Sequence, residues 1–414
     1  MTTPSSKGLL EGIVVLDLTR FLSGPHCTLL LAGLGAEVIK VDDPRSGDPT
    51  AGAPPFVGAQ GVSLERRAAS DEGITYLKRA RGKQSIAIDL KHAEGRALFV
   101  SLAARADVVV ENFRPGVAER LGIDFAVLSK ENPRLVYCAL TGFGSTGPDR
   151  GQRAYDLMVQ AATGLMSITG EPGGIPVKTG TALSDTIAGT YAALGIASAL
   201  VERERSGAGQ FIDVSMADCL FSMIMDESLD SFEALGLAPR QGNRILRFSP
   251  FNSFRAADGW VAIGAATVQE WEGLLDALGR PDLKRDPDFS RVEWRIAHNA
   301  EVDALIDGWI RALPVAEALR ALQACDVPCA PVRSPREAID WPHLRSRGMV
   351  QALRRTDGTA TGVAAAGFPL KFSRSRAHHD SPSPVPGGDT EAVLGRFLGM
   401  SAEQVRALRG RGIV

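Results

Sequence analysis

Asp185 lies where a glycine- and proline-rich stretch gives way to a long apolar helical pattern, in Thr181-Ala182-Leu183-Ser184-Asp185-Thr186-Ile187-Ala188-Gly189. The pattern runs from Thr186 to about Glu204. A carboxylate at a helix start faces the positive end of the helix dipole and backbone N–H groups that lack intrahelical partners. Such a place keeps an acid ionised and fixed in direction. An ionised, positioned carboxylate can attack an activated acyl group and form a covalent intermediate. The same residue type at a helix start is also a common N-cap. The segment by itself leaves both roles open. Asp156, in Arg153-Ala154-Tyr155-Asp156-Leu157, is a second acid, and two acids can do acid–base work.

Basic residues recur near the ends of predicted strands. Lys78, Arg79, Arg81 and Lys83 precede one strand, Lys91 follows it, and Arg114 and Arg120 follow the next. Ligands of open α/β sheets bind at the carboxyl ends of strands, and Arg and Lys there suit phosphate groups. For residues 78–83 a solvated basic face explains the pattern equally well. Lys91, Asn112, Phe113 and Arg120 point more directly to a ligand, because they follow successive strands. Residues 137–148 end a strand in a loop carrying Gly142 and Gly144, where backbone can approach a ligand closely. The six histidines (His26, His92, His298, His343, His378 and His379) form no metal or triad pattern, and G-x-S-x-G, P-loop and H-E-x-x-H motifs are absent.

These residues need a scaffold. A chain of 414 residues exceeds one typical domain. It is 44% hydrophobic and 23% charged, ordinary for a globular protein. A net charge of −2 gives no argument for nucleic acid or an acidic membrane surface. The N-terminus lacks a signal-peptide core, and no stretch reaches the length of a membrane span. The cysteines (Cys27, Cys138, Cys219, Cys325 and Cys329) lack C-x2-C spacing and read as reduced thiols of a cytoplasmic protein without a metal site.

Residues 12–19 read as a strand, 25–34 as a helix and 36–41 as a second strand, a βαβ unit. Its first turn lacks G-x-G-x-x-G, so no nicotinamide dinucleotide is expected. Residues 44–75 read as a long functional loop, and strands follow at 84–90, 107–111 and 135–140. The expected fold is α/β, a large doubly wound domain with a smaller α+β domain. The large domain takes 1–205 and 330–414, the small one 225–325, with linkers at 206–224 and 326–329. Further expectations are a strand at 209–215, a helix from 216 to about 235, a return of 327–332 towards the N-terminal sheet, and a tail helix at 389–409 capped by Asp389.

In order along the chain, Leu16-Asp17-Leu18-Thr19, Gly35-Ala36-Glu37-Val38-Ile39-Lys40-Val41, Ser85-Ile86-Ala87-Ile88-Asp89-Leu90-Lys91, Glu111-Asn112-Phe113-Arg114-Pro115-Gly116, Thr141-Gly142-Phe143-Gly144 and Leu183-Ser184-Asp185 resemble the family III (formyl-CoA transferase-like) CoA-transferases. That family also includes α-methylacyl-CoA racemase and carnitine-CoA transferase relatives. The resemblance runs from about residue 10 to residue 331 and more weakly beyond. It implies an interlocked homodimer with a Rossmann-like CoA-binding domain, and acyl-CoA as a substrate rather than a tightly held cofactor. It places the catalytic aspartate on Asp185 and an acid beside the active site on Asp156. It places CoA contacts on Leu22, Ser23, Ile88, Asp89, Lys91, Asn112, Phe113, Arg114, Arg120, Arg153 and Tyr155.

Departures from the family choose among its branches. Racemases have His-Asp where this chain has Tyr155-Asp156, and a glutamate where it has Thr267, so transfer is favoured over epimerisation. The glycine loop of formyl-CoA transferases is replaced by Arg244-Ile245-Leu246-Arg247-Phe248-Ser249-Pro250, which argues against oxalate and formate. The reading is a CoA-transferase that passes CoA from an acyl-CoA, with succinyl-CoA as the suggested donor, to a small carboxylic acid. Arg244 and Arg247 either clamp a second carboxylate or are solvated. The alternative is an acyl-CoA racemase using Asp156 and Asp185 as two bases.

Overall fold

The computed structural model describes residues 8–414. At its centre is a parallel sheet of β1 (Val14–Asp17), β2 (Glu37–Asp42), β3 (Gln84–Ala87), β4 (Val108–Glu111), β5 (Val136–Thr141) and β6 (Phe211–Ser215). The strands lie side by side in the order 3-2-1-4-5-6. The order reverses between β1 and β4, which opens a crevice at their carboxyl ends.

The strands are short apolar runs because helices cover both faces. On one face Leu16, Ile39, Ile86 and Val109 pack with Phe99 of the helix Ala93–Ala103 and with Val393 and Leu394 of the helix Thr390–Leu398. The next residue after Leu16 faces the other way, since side chains alternate along a strand. There the buried Asp17 carboxylate accepts from Thr28 Oγ at 2.7 Å and Lys83 Nζ at 2.9 Å. Thr28 belongs to the helix Ser23–Gly33, so this ion pair ties that helix to the end of β1.

The helix Leu183–Ser206 lies against Ser23–Gly33, and its buried residues Ala188, Ala192, Ile196 and Leu200 recur at the helical spacing. Gly189 permits the close approach: a Cβ there would stand 2.5 Å from the Ser23 carbonyl oxygen.

Two compact units divide the chain. One takes the chain up to Thr163, Gly180–Ile224 and Trp341–Val414; the other takes Gly164–Thr179 and Met225–Asp340. In the second unit, strands Phe251–Arg255, Trp260–Gly264 and Cys329–Pro331 form an antiparallel sheet. Its core gathers Trp271, Leu274, Val302, Ile306 and Leu322.

Several expectations are corrected. Residues 206–224 are not a linker: they include β6 and the helix Met216–Ile224 of the first unit. The expected long helix after 216 breaks before a second short one, Leu229–Ala234. Residues 329–331 pair with Trp260–Gly264 and not with the large sheet, because Val261 opposite Pro331 supplies the apolar neighbour there. The return comes later, from Trp341. Residues 44–75 carry a small sheet of Phe56–Gly58, Gly61–Ser63 and Glu72–Gly73. The tail is two helices, Thr390–Leu398 and Ala402–Gly410, parted by the left-handed Gly399. Asp389 does not cap with its side chain; its Oδ2 accepts from the Ser85 N–H of β3 at 2.8 Å.

Candidate active site

Asp185 is the third residue of the helix Leu183–Ser206, and the N-cap position is Ala182, so the capping role is excluded. Ser23 lies near its carboxylate, and the Ser23 N–H and hydroxyl favour the ionised form. Ser23 opens its own helix, where backbone N–H groups have no intrahelical partner. The expectation that a helix start simply favours the ionised acid is only half right. Burial, the largest effect, and then the Asp156 charge outweigh Ser23 and Arg79 and push Asp185 up to about 6. At pH 7 the anion still prevails by about tenfold.

Three groups fix the turn that presents Ser23. The Asn112 side chain, just past β4, accepts from Arg20 N–H at 2.9 Å and donates to Arg20 C=O at 2.8 Å. Arg79, ending the helix Ile74–Arg79, donates to the Phe21 carbonyl. Phe21 itself has φ +67°, a left-handed conformation that costs a bulky residue about 1–2 kcal/mol. Its ring meets Tyr155 edge-on, 6.1 Å between centroids.

Asp156 is buried, and its two oxygens are already engaged. Oδ1 accepts from Ser184 N–H at 2.9 Å and Ser184 Oγ at 2.7 Å; Oδ2 accepts from Gln160 Nε2 at 2.7 Å. It therefore caps the Asp185 helix from outside, taking the N–H of the second helical residue. Asp156→Ala is expected to cost about 1–2 kcal/mol in denaturant unfolding, the worth of a cap. Asp156→Asn removes a like charge, so the acid limb of any activity carried by Asp185 should move to lower pH; an unmoved limb would separate the two acids.

One cavity at the carboxyl ends of the strands is lined by Ser23, Asn112, Phe113, Arg114, Arg153, Tyr155 and Asp185. A second is lined by Ile88, Asp89, Lys91 and again Phe113, with Asp43 from the end of β2. Phe113 is thus common to both. It is held by its N–H, which donates to Glu111 Oε2 at 2.6 Å, and burial pushes that glutamate up to about 8. Leu22, the N-cap residue of its helix, and the exposed Arg120 line neither cavity. Gly142 lines the first cavity and Gly144 does not.

Arg244 and Arg247 lie in the second unit and are both engaged. Arg244 bonds Asp303 at 2.6 Å and Arg247 bonds Glu227 at 2.8 Å. Within the 78–83 cluster, neither sequence alternative describes Lys83 and Arg81: both are buried, Lys83 on Asp17 and Arg81 on the Ala366 and His379 carbonyls. The sequence reading gave Gln160 no role. It took Arg79 only as a member of that cluster and Ser184 only as part of the Leu183-Ser184-Asp185 segment. Among the described residues no group of three or more His, Cys, Asp or Glu could hold a metal, and no helix is long and apolar enough to cross a membrane.

Residues 10–390 match the family model described as CoA-transferase family III. The chain is 38% identical to an acetyl-CoA:oxalate CoA-transferase of Acetobacter aceti, over 92% of this chain and 94% of that protein. It is 36% identical to a succinate–glutarate CoA-transferase of Agrobacterium fabrum, over 94% of this chain and 96% of that one. Among solved structures, a CAIB/BAIF family protein from Brucella suis superposes with a TM-score of 0.80 at 33% identity, covering 95% of this chain and 100% of that chain.

Proposed function

The chain belongs to CoA-transferase family III, and we propose that it moves CoA from an acyl-CoA donor to a free carboxylic acid through a covalent intermediate on Asp185. The observation that carries this is the Asp185 carboxylate, lining a cavity at the sheet's switch point together with Ser23, which favours its ionised form. Asp185 attacks the donor thioester carbonyl, the C–S bond breaks, and a mixed anhydride and CoA thiolate result. The thiolate attacks the aspartyl carbonyl, expelling the donor acid and leaving a β-aspartyl-CoA thioester. The acceptor carboxylate attacks that carbonyl, expelling thiolate again, and the thiolate then takes the acceptor acyl group and frees Asp185. Every step conserves one activated acyl bond, so no ATP is needed.

The Ser23 N–H and hydroxyl act on the carboxylate that becomes the aspartyl carbonyl. They are therefore set to stabilise the oxyanion formed at each attack on it. Ser23→Ala keeps the backbone donor and loses the hydroxyl; kcat is expected to fall about 10²-fold, near the cost of one such donor. Unchanged kcat would remove Ser23 from this role.

For the donor we favour succinyl-CoA, and for the acceptor a second small dicarboxylic acid. Relatives named for oxalate, succinate and glutarate support a dicarboxylate. They also weigh against the sequence argument from the missing glycine loop. Arg114, Arg150 and Arg153 line the Asp185 cavity, and no carboxylate among the described residues is ion-paired with them. They are the cations available to CoA phosphates and to a second carboxylate, whereas Arg244 and Arg247 are already neutralised. Epimerisation is not favoured: Asp156 has both oxygens engaged, and Tyr155 stands in place of a proton-carrying histidine.

The interlocked homodimer belongs to the same reading. Tyr191 and Leu194, on the Asp185 helix, and Met223 are exposed and line one apolar groove, a surface that favours a partner. Native mass spectrometry should give a dimer.

The test of the chemistry is intact-protein mass spectrometry after mixing with succinyl-CoA, with borohydride or hydroxylamine trapping and peptide mapping. A trapped product on Asp185 is expected. No adduct, with solvent deuterium entering the acyl α-carbon, would turn the reading to epimerisation.

A further inference from the structure

Arg79 has no place in the reaction as described so far, yet it stands beside the nucleophile. It closes the helix Ile74–Arg79, is half-buried, and donates to the carbonyl of Phe21. Phe21 is one of two non-glycine residues with positive φ among the described residues, the other being Asp326. A strained turn of this kind persists only where its surroundings over-determine it. Here Asn112 holds the preceding residue, Arg20, on both backbone groups. On the strained residue itself Arg79 bonds the carbonyl, and Tyr155 packs against the ring. The positive charge of Arg79 also acts directly on Asp185.

We propose that Arg79 is a positioning residue for CoA transfer: its guanidinium holds the left-handed Phe21 turn that leads into Ser23 at the Asp185 cavity, and its charge favours that carboxylate. The proposal rests on Asp185 being the nucleophile. Two functions follow from one side chain. The hydrogen bond fixes the oxyanion donors before substrate arrives, so that no reorganisation is needed during the reaction. The charge offsets part of the burial and of the Asp156 repulsion that push Asp185 towards protonation.

The other charged and titratable groups around Asp185 are known. Asp156 acts from the helix Asp156–Ala162 and raises its pKa. His26, from the helix Ser23–Gly33, touches Thr190, and burial, then the Arg79 and Lys83 charges, lower its pKa. Arg114, Arg150, Arg153 and Tyr155 line the cavity. Asp48 acts on Arg79 itself. A variant at Arg79 leaves these groups in place but also lifts the Arg79 charge from His26.

The experiment is the pH dependence of kcat, from about pH 5 to pH 8, for wild type, Arg79→Lys and Arg79→Gln, with KM for the acyl-CoA measured alongside. In Arg79→Gln the acid limb is expected to move up by about half a unit to one unit, with a plateau about tenfold lower and KM little changed. Arg79→Lys keeps the charge and should leave the limb where it is. Glycine adopts the left-handed turn freely, so Phe21→Gly combined with Arg79→Gln supplies a variant whose folding does not depend on the tie. That double variant should keep the limb shift. A limb that stays put in both glutamine variants overturns the proposal, as does a raised KM with unchanged kcat, which would make Arg79 a CoA contact. Trapping on Asp185 in the same proteins separates the outcomes: an unmoved limb with CoA still trapped there sinks the Arg79 assignment alone, whereas loss of trapping in wild type sinks the nucleophile reading beneath it.

Discussion

Replacing Asp185 with Asn is expected to abolish CoA transfer and, in the same protein, to raise stability at neutral pH. The first effect follows from chemistry. An amide cannot attack a thioester to give an exchangeable anhydride, so kcat should fall by at least about 10⁴-fold and trapping should give no adduct. The second follows from the sign of the pKa shift. Asp185 is pushed up to about 6 from the ordinary 3.8. The folded state therefore binds this proton more tightly than the unfolded chain does. The cost of the buried anion is absent below about pH 4, grows through the window between the two values, and is complete above about pH 6. Two units correspond to on the order of 3 kcal/mol as an upper figure. Asn keeps an oxygen for the Ser23 donors and carries no charge, so denaturant unfolding at pH 7.5 should show a gain of about 1–3 kcal/mol that vanishes near pH 4. A variant that is inactive but less stable at pH 7.5 would mean that the carboxylate is well solvated. A variant that keeps transferring CoA would remove Asp185 from the chemistry.

Gly189→Ala should be strongly damaging although its backbone is an ordinary helix. In an open helix the exchange would stabilise by about 1 kcal/mol. Here the new Cβ would sit 2.5 Å from the Ser23 carbonyl oxygen and 3.2 Å from the Cys27 backbone nitrogen, and backbone cannot move aside as a side-chain tip can. The clash outweighs the propensity. The helix must shift away from Ser23–Gly33, at a cost of about 1–3 kcal/mol for an overpacked contact. The same shift draws Asp185 from the Ser23 donors, so kcat should fall about 10²-fold, comparable to losing an oxyanion donor. Gly195→Ala is the control on the same helix. Its Cβ would meet only the Ile212 side chain at 3.4 Å, an ordinary contact, and the variant should be neutral or slightly stabilised. Equal behaviour of the two variants would show that helix propensity, and not the close approach, governs this face.

Much of this protein was legible in the chain. The alternation of short apolar runs with amphipathic stretches announced a parallel sheet, because strands covered on both faces and helices covered on one have different periods. Asp185 stood out at a helix start, and the order of the family segments marked it as the candidate nucleophile. Local readings failed where a residue's partner came from elsewhere in the fold. Lys83 and Arg81 looked like surface or phosphate-binding cations and proved to be buried ties, to Asp17 and to two distant carbonyls. Asp389 looked like a cap and proved to hold β3. Residues 327–332 read as a return towards the N-terminal sheet, but nothing in them named the strand that 329–331 would join.

The sequence by itself determined the residue types of the chemistry, the fold class and the family, since these depend on local pattern and on the order of segments. The tertiary structure alone decided what Asp185 can do. Its donors come from Ser23, its neighbouring acid is fixed by Ser184 and Gln160, and its countercharge comes from Arg79. These groups lie on four separate helices, and only the packing that Gly189 permits brings two of those helices, Ser23–Gly33 and Leu183–Ser206, to contact. The balance of burial and charge at that meeting point sets the protonation of the carboxylate, a property of the assembled site that no single segment contains.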